Sequence, residues 1–564
     1  MPEFDESFDW VVVGSGAGSM SSALLMAKAG KSVAILEKAD KFGGTTCKSG
    51  GIMWIPNNRF MEPGEDDDEK AVKYLDAVVK DGPDFPGTSP ERRRTYVVEA
   101  SKMIDFVVSQ GVALERGSQF WPDYYDELPG GVKTSRTVSA LPFNKKELPG
   151  NWSDKLRQGF LELPVRMEDG MKLPDMKRSW EARRIMAKTA AKVALGKLLG
   201  RQWVAAGAAL QGRMLKSVLE KNAADIRIES PVSEIIMDGD KAVGVLTVKD
   251  GKPWRIGANA GILVNAGGFS HNREMRKKHL PKTDQSWSNG IESNTGDMHI
   301  ELERIGGTLA QMDQMVGLPA TRAPGWETAY VKPGTQNVVA KPHAIQVDQS
   351  GERYMNEASS YEDLCQKMME RDEIVPAIPS WAIIDSQHMV RFPLADKLGS
   401  RIPKAWRESG WLKEANTIEE LAEQINIAPA KLRETIDRWN ASVDKGVDED
   451  FQRGNDRVYS GWLGDALVEE GPARTMGRID KAPFYAFDVV PADVGTYGGV
   501  VTDCDARVLK GDGTPFENLY ACGITTASPM GDVYPGAGAS IGPSMTFGWI
   551  AAKHAAGLSN QDLT

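Results

Sequence analysis

Gly14, Gly16 and Gly18 share one short turn, and Glu37 follows 23 residues after Gly14. Glycines at that spacing let a backbone turn sharply and approach a pyrophosphate, and the free N–H groups of a following helix face the anion. A carboxylate placed like Glu37 accepts hydrogen bonds from a ribose. The elements that must position these groups are legible around them. Asp9-Trp-Val-Val-Val-Gly14 is an apolar run closed by glycine, a short buried strand. Ser19 to Gly30, rich in Ala, Leu and Met, reads as a helix ending at a glycine. Ser32-Val-Ala-Ile-Leu-Glu37 is a second strand ending in the acid. Together they form a dinucleotide-binding βαβ unit, with Ser19 in place of the last motif glycine.

A second loop, Lys41-Phe-Gly-Gly-Thr-Thr-Cys-Lys-Ser-Gly-Gly51, offers hydroxyls and backbone N–H groups to another part of a long ligand. Ile262-Leu-Val-Asn-Ala-Gly-Gly268 and Asn518-Leu-Tyr-Ala-Cys-Gly523 are strands closing on glycine, and residues 534–547 lead into a helix reaching about Ala556. A C-terminal segment that returns to complete an N-terminal nucleotide fold is the layout of FAD enzymes. The fold expected is α/β: a Rossmann-like FAD-binding domain (1–300 and 491–564) with an inserted α+β capping domain (301–490). Helices are expected in the insert at Thr417 to Ile425 and Pro429 to Lys445.

Composition narrows the rest. The chain has 564 residues, 41% hydrophobic and 26% charged, with a net charge of −10, which excludes disorder and makes the whole molecule no nucleic-acid binder. Cys47, Cys365, Cys504 and Cys522 form no CxxC pair, and with six histidines no metal-ligand spacing emerges; no metal is expected. Unclustered thiols, no signal-peptide pattern and no run of 18 apolar residues point to the cytoplasm. The acidic run Glu65 to Glu69 reads as a solvated surface loop.

These segments resemble the flavoprotein family of soluble fumarate reductases and 3-ketosteroid dehydrogenases. Gly351-Glu-Arg-Tyr-Met-Asn-Glu357 is similar to its "GxRFxNE" segment. Fumarate reductases place a proton-donating Arg five residues after that Asn; Tyr361 stands there instead and cannot grip a dicarboxylate. Tyr361 resembles 3-ketosteroid Δ1-dehydrogenases, as do Trp121-Pro-Asp-Tyr-Tyr-Asp-Glu-Leu-Pro-Gly-Gly131 and Tyr534-Pro-Gly-Ala-Gly-Ala-Ser-Ile-Gly-Pro543. The resemblance implies C1–C2 desaturation. The Tyr534 hydroxyl and the Gly538 N–H bind the C3 carbonyl oxygen. Tyr361 takes the C2 proton, and the C1 hydride leaves to N5 of FAD. A phenol with a pKa near 10 is a poor base at neutral pH, so a second tyrosine must support it: Tyr124, or its neighbour Tyr125. Trp121, Tyr125 and Pro535 are carried over as substrate contacts. The alternatives are a Δ4-(5α)-dehydrogenase and a fumarate-reductase-like ene-reductase.

The resemblance also assigns the FAD contacts: Gly14, Gly16, Ala17, Gly18, Glu37, Lys38, Gly44, Thr45, Thr46, Ser49, Gly50, Gly51, Val232, Ala266, Gly267, Asp297, Gly523, Ser540 and Ile541. His299 is placed near the flavin or in a structural role, His343 at a position where a fumarate reductase holds substrate, and Cys47 in the flavin loop.

Residues about 151–200 are extra to the common pattern. From Lys155 to Ser217 there are 14 Lys/Arg and 5 Asp/Glu, a net +9, interleaved with Trp180, Met186, Val193, Leu195, Leu199 and Trp203. Arg184, Lys188 and Lys192 share one helical face with Met186 and Val193 roughly opposite, although Gly196 and Gly200 weaken a helix. The pattern suggests a helix on an anionic membrane surface, so the expected contact is peripheral, at the inner face of the membrane through 165–217. It would suit a lipid-soluble substrate such as cholest-4-en-3-one. The rival is a docking site for an electron acceptor, a quinone or a protein.

Overall fold

The computed structural model describes residues 3–117, 121–395, 397–398, 401–455 and 457–563. The expected βαβ unit is present. The strand Glu6–Val13 pairs in parallel with Val33–Leu36 on one side and Lys252–Val264 on the other. Asp225–Arg227 extends this sheet beyond Val33–Leu36, and Pro515–Ala521 adds to Lys252–Val264, both in parallel. Trp10, Val11 and Val12 are completely buried, as a strand covered on both faces must be. The helix between the first two strands runs Ala17–Lys28, starting two residues earlier than its sequence suggests because extended Gly16 caps it.

That first helix lies against the C-terminal helix Ile541–Ala555. The contact is too close for side chains: a Cβ on Gly18 would sit 2.3 Å from the Ser544 carbonyl oxygen, and one on Gly548 would sit 2.3 Å from that of Gly18. Gly18 therefore serves helix packing.

A second, antiparallel sheet draws its strands from residues 315 to 496. Phe484–Thr496 is its spine, pairing with Met315–Ala320, Ser380–Asp385 and Lys413–Ala415. The helices Ile418–Gln424 and Pro429–Lys445 match the segments expected in this region. A three-stranded sheet, Ile52–Trp54, Thr137–Ala140 and Leu114–Arg116, follows the second glycine loop.

One sequence expectation fails here. The acidic run at 65–69 is not a solvated loop. Asp66 is buried against Arg136, whose guanidinium also binds Asp123 and lies over the Trp54 and Tyr74 rings. Glu65 pairs with Arg116 and Thr134, and Asp67 caps the helix Asp68–Val78. The countercharges come from distant positions, which a local charge count does not see.

The basic segment does form a helix, Trp180–Leu198, but its apolar side is not free. Ala182, Thr189 and Gly196 are buried, with Met186 and Val193 half-buried on the same stripe. Gly196 helps the packing, since a Cβ there would come within 2.8 Å of Trp203 Nε1. The helix rests chiefly on the neighbouring turns Met167–Lys172 and Leu173–Lys177. Trp180 and Leu198 remain 79% and 83% exposed, and Leu195 and Leu199 are exposed as well. Among the described residues no helix is long and apolar enough to cross a membrane.

Candidate active site

One cavity of about 440 Å³ runs from the glycine turn to the tyrosines. All the FAD contacts assigned from sequence line it except Gly18 and Gly523, which lie just behind its wall. Gly14 adopts φ +96°, and a Cβ there would collide with the Asn265 carbonyl oxygen at 2.3 Å. The turn is thus a cradle that only glycine fits. Glu37 is buried; its carboxylate accepts from Ser15 N (3.1 Å), Ser15 Oγ (2.5 Å) and Ala39 N (2.9 Å). Ser15 Oγ in turn accepts from Gly43 N (2.8 Å), so the acid locks the two glycine loops together. Thr45 Oγ1 accepts from Asn294 Nδ2 (3.0 Å) and Ile291 N (3.3 Å), bracing the second loop. Lys38 Nζ reaches Thr295 Oγ1 (2.6 Å) and Asp297 Oδ2 (2.5 Å) across the cavity wall. Cradle, helix terminus and buried acid fit a dinucleotide such as FAD, which these residues would hold.

Asn265 also lines the cavity and escaped the sequence reading. With its amide oriented as its neighbours require, its oxygen accepts from Gly18 N (3.3 Å) and Ser19 N (3.0 Å), capping the first helix beside the glycine turn. Its signal was only its place at the end of an apolar strand.

At the far end of the cavity, tyrosines from four chain segments meet. The hydroxyls of Tyr124 and Tyr361 are 3.4 Å apart, at the long limit of a hydrogen bond. The Tyr361 and Tyr534 ring centroids are 5.3 Å apart, and those of Tyr124 and Tyr534 are 6.0 Å apart. Tyr534 OH lies 3.0 Å from Ser540 Oγ. Gly538, at φ +91°, turns the chain against the Ile52 carbonyl, and its N–H forms no hydrogen bond among the described residues. Trp121 walls the chamber and packs on Trp462 at 4.9 Å.

The fourth tyrosine is Tyr459, which sequence reasoning missed. Its ring centroid is 4.2 Å from that of Tyr124, and its hydroxyl accepts from Gln336 Nε2 (2.9 Å). No glycine motif surrounds it, so nothing local marked it. Asp126 fixes it by accepting from Val458 N and Tyr459 N, both at 3.0 Å. Arg457 donates to the Tyr124 carbonyl (2.6 Å), and Tyr124 N donates to the Pro535 carbonyl (2.9 Å). Asp123, held by Arg136 and Trp54, anchors the start of the same loop; burial pushes its carboxyl up to about 6.

Burial pushes the phenols of Tyr124, Tyr361, Tyr459 and Tyr534 above their ordinary range. The chamber therefore presents hydroxyl donors to a polar atom and rings to an apolar body.

Other candidates fall away from the cavity. Tyr125 turns its hydroxyl to Ser360 (3.4 Å), so Tyr124 is the neighbour that faces Tyr361. Pro535 contributes its carbonyl to Tyr74 (2.6 Å) and Tyr124 but does not line the cavity. His343 binds the Arg478 carbonyl (2.7 Å), far from a substrate role. His299 does line the cavity, but burial lowers it to about 4 and Nε2 contacts the Gly498 carbonyl oxygen (3.0 Å). Cys47 is buried, its thiol pushed up to about 12 by that burial. The 351–357 motif is scaffold: Arg353 and Arg453 bracket buried Glu357 at 2.8 and 3.1 Å.

A family model described as an FAD binding domain matches residues 9–541. The 3-oxosteroid 1-dehydrogenase of Mycolicibacterium smegmatis is 33% identical, covering 97% of both chains. The 4-oxocyclohexanecarboxylate 2-dehydrogenase of Sinomonas cyclohexanicum is 30% identical over 98% of this chain and 93% of its own. Among solved structures, the 3-ketosteroid delta1-dehydrogenase from Sterolibacterium denitrificans, in complex with 1,4-androstadiene-3,17-dione, superposes with a TM-score of 0.90. It is 30% identical and covers 98% of this chain and 100% of its own. With the family model spanning most of the sequence and a relative one-third identical end to end, the chain belongs to the FAD-dependent flavoprotein family that contains the 3-oxosteroid 1-dehydrogenases.

Proposed function

We propose that the protein is an FAD-dependent oxidoreductase that introduces the C1–C2 double bond into 3-ketosteroids. The observation that carries the reading is the chamber itself: Tyr361, Tyr124 and Tyr534 around one cavity, beside the unpaired Gly538 N–H. Bound FAD supplies the acceptor for the C1 hydride. Tyr534 OH and Gly538 N–H bind the C3 oxygen and stabilise the charge that develops on it, which acidifies the C2 proton. Tyr361 takes that proton as its phenolate and becomes a neutral phenol, and before the transfer the Tyr124 hydroxyl donates a hydrogen bond that stabilises the phenolate oxygen. Tyr459, packed against Tyr124 with its ring tilted, fixes the direction of that donor. Among the described residues the cavity lining holds no arginine, and Lys38 on it is paired with Asp297, which disfavours fumarate as substrate. In this reading residues 1–300 and 491–564 hold FAD, and 301–490 cap the substrate.

The test is anaerobic mixing with 4-androstene-3,17-dione: the yellow flavin bleaches and the 1,4-diene forms. Bleaching by succinate, reoxidation by fumarate, or a 4-ene product from a 5α-steroid would overturn the reading.

The basic hairpin carries a second proposal, docking on an anionic lipid surface. Arg184, Lys188, Lys192 and Lys197 have no carboxylate within ion-pair distance among the described residues, and exposed Trp180, Leu195 and Leu198 lie on the same helix. Phe160 and Met167, from the same extra segment, line the cavity and offer a side-chain-bearing steroid such as cholest-4-en-3-one an apolar wall. Flotation with phosphatidylglycerol vesicles but not phosphatidylcholine vesicles supports docking. Dye-coupled activity that persists while transfer to a quinone or protein acceptor fails, in a variant lacking 165–200, points to the acceptor instead.

A further inference from the structure

Lys48 is a cation that the proposed reaction does not use. It ends the short helix Gly44–Lys48, lines the cavity, and holds Nζ 4.7 Å from the centroid of the Tyr330 ring. Among the described residues its ammonium has no hydrogen-bond acceptor and no carboxylate within ion-pair distance. Burial, then the fields of Lys332 and Arg157, hold it down to about 8. Glu292, the one acid acting on it, is exposed.

The two neighbouring cations have little anionic company either. Lys332 directs its donors to the Trp326 (2.9 Å) and Glu327 (3.1 Å) carbonyls. Arg157 reaches the Lys41 carbonyl with Nη2 (3.4 Å) and leaves its buried Nε without a partner. Half-burying a cation beside two others costs free energy unless a counter-charge arrives. A bound ligand is the remaining source of that charge.

Two anionic groups could supply it, the cofactor's pyrophosphate or a carboxylate on the substrate. The pyrophosphate has its own place at the glycine turn and helix terminus. The surroundings of Lys48 are of another kind. Tyr330 donates to the Gln158 carbonyl, Gly159 packs against the Cys47 carbonyl, and Phe160 and Val331 continue the wall. These belong to the extra segment and to the loop after Met315–Ala320, and they are largely apolar.

We infer that Lys48, backed by Arg157 and Lys332, is a subsite for the carboxylate of a ketosteroid whose side chain ends in an acid, with the ketone at Tyr534. The Sinomonas relative is named for a ketone that also bears a carboxylate. The inference rests on the ketosteroid reading above, and the test separates the two.

Oxidised holoenzyme is titrated with two products that cannot turn over, 1,4-androstadiene-3,17-dione and 3-oxochola-1,4-dien-24-oate, and flavin difference spectra give each Kd. FAD release is followed by its fluorescence. The expected result is that Lys48→Met lowers the preference for the acid over the neutral product about tenfold. Lys48→Arg keeps most of that preference, and FAD is retained in both variants. An unchanged preference in Lys48→Met overturns the inference while leaving the ketosteroid reading intact. Loss of FAD from Lys48→Met overturns it too, by assigning the lysine to the pyrophosphate. If neither product perturbs the flavin, the ketosteroid reading falls and the inference with it.

Discussion

The tyrosine chamber and the basic hairpin are built on opposite terms. The chamber collects side chains from positions 124, 361, 459 and 534, and each packs on or bonds to partners far away in sequence. The hairpin helix Trp180–Leu198 touches chiefly the turns that precede it and leaves most of its surface to solvent. One region works through the placement of single side chains, the other through composition. The difference teaches where a single substitution matters: a hydroxyl in the chamber, but only the sum of charges and apolar tips on the hairpin.

The sharpest way to break the comparison is Tyr361→Phe. The expected loss is about 10³-fold in the rate of flavin bleaching by 4-androstene-3,17-dione, within the range for general-base catalysis. A loss under tenfold would mean the chamber has no indispensable hydroxyl. Tyr534→Phe removes one of two carbonyl donors and is expected to cost about 10²-fold in the same measurement. Tyr459→Phe keeps the ring that packs on Tyr124 but loses the bond to Gln336. About tenfold is expected, the weight of one ordinary hydrogen bond, with little change in product Kd.

pH sharpens the contrast. Each chamber phenol has a folded pKa raised above its ordinary value near 10, so the protonated form is favoured in the folded state. Its contribution to stability is complete below pH about 10 and is lost as the pH climbs toward the folded values. Chemical denaturation between pH 8 and 11 should show stability falling above about pH 10. Replacing Tyr459 by Phe should make that fall shallower. The smallest effect on chemistry belongs to the hairpin. Trp180→Glu with Leu198→Glu is expected to leave the rate of bleaching by 4-androstene-3,17-dione as in the wild type. Flotation with anionic vesicles should drop severalfold.

The same contrast explains what was legible in the sequence. The glycine turn, Glu37 and the two strands around them are local: φ requirements and apolar runs are written in adjacent residues. Tyr361 and Tyr534 were found through motifs that resemble a known family. Tyr459 and Asn265 were not, because their roles depend on which remote segment arrives beside them. Asp66 and Met186 misled for one reason: a solvated acid and a lipid-facing methionine look the same in sequence as an acid met by Arg136 or a methionine covered by a neighbouring turn.

The close crossing of the first helix and Ile541–Ala555 has a consequence for biosynthesis. Strand Pro515–Ala521 and that helix complete a nucleotide fold whose glycine turn was translated some five hundred residues earlier. While the chain is being made, the N-terminal βαβ unit waits with one helix face uncovered and its cradle unfinished. A complete cradle for FAD exists only once the helix Ile541–Ala555 has left the ribosome, so full capture of the cofactor waits on that helix.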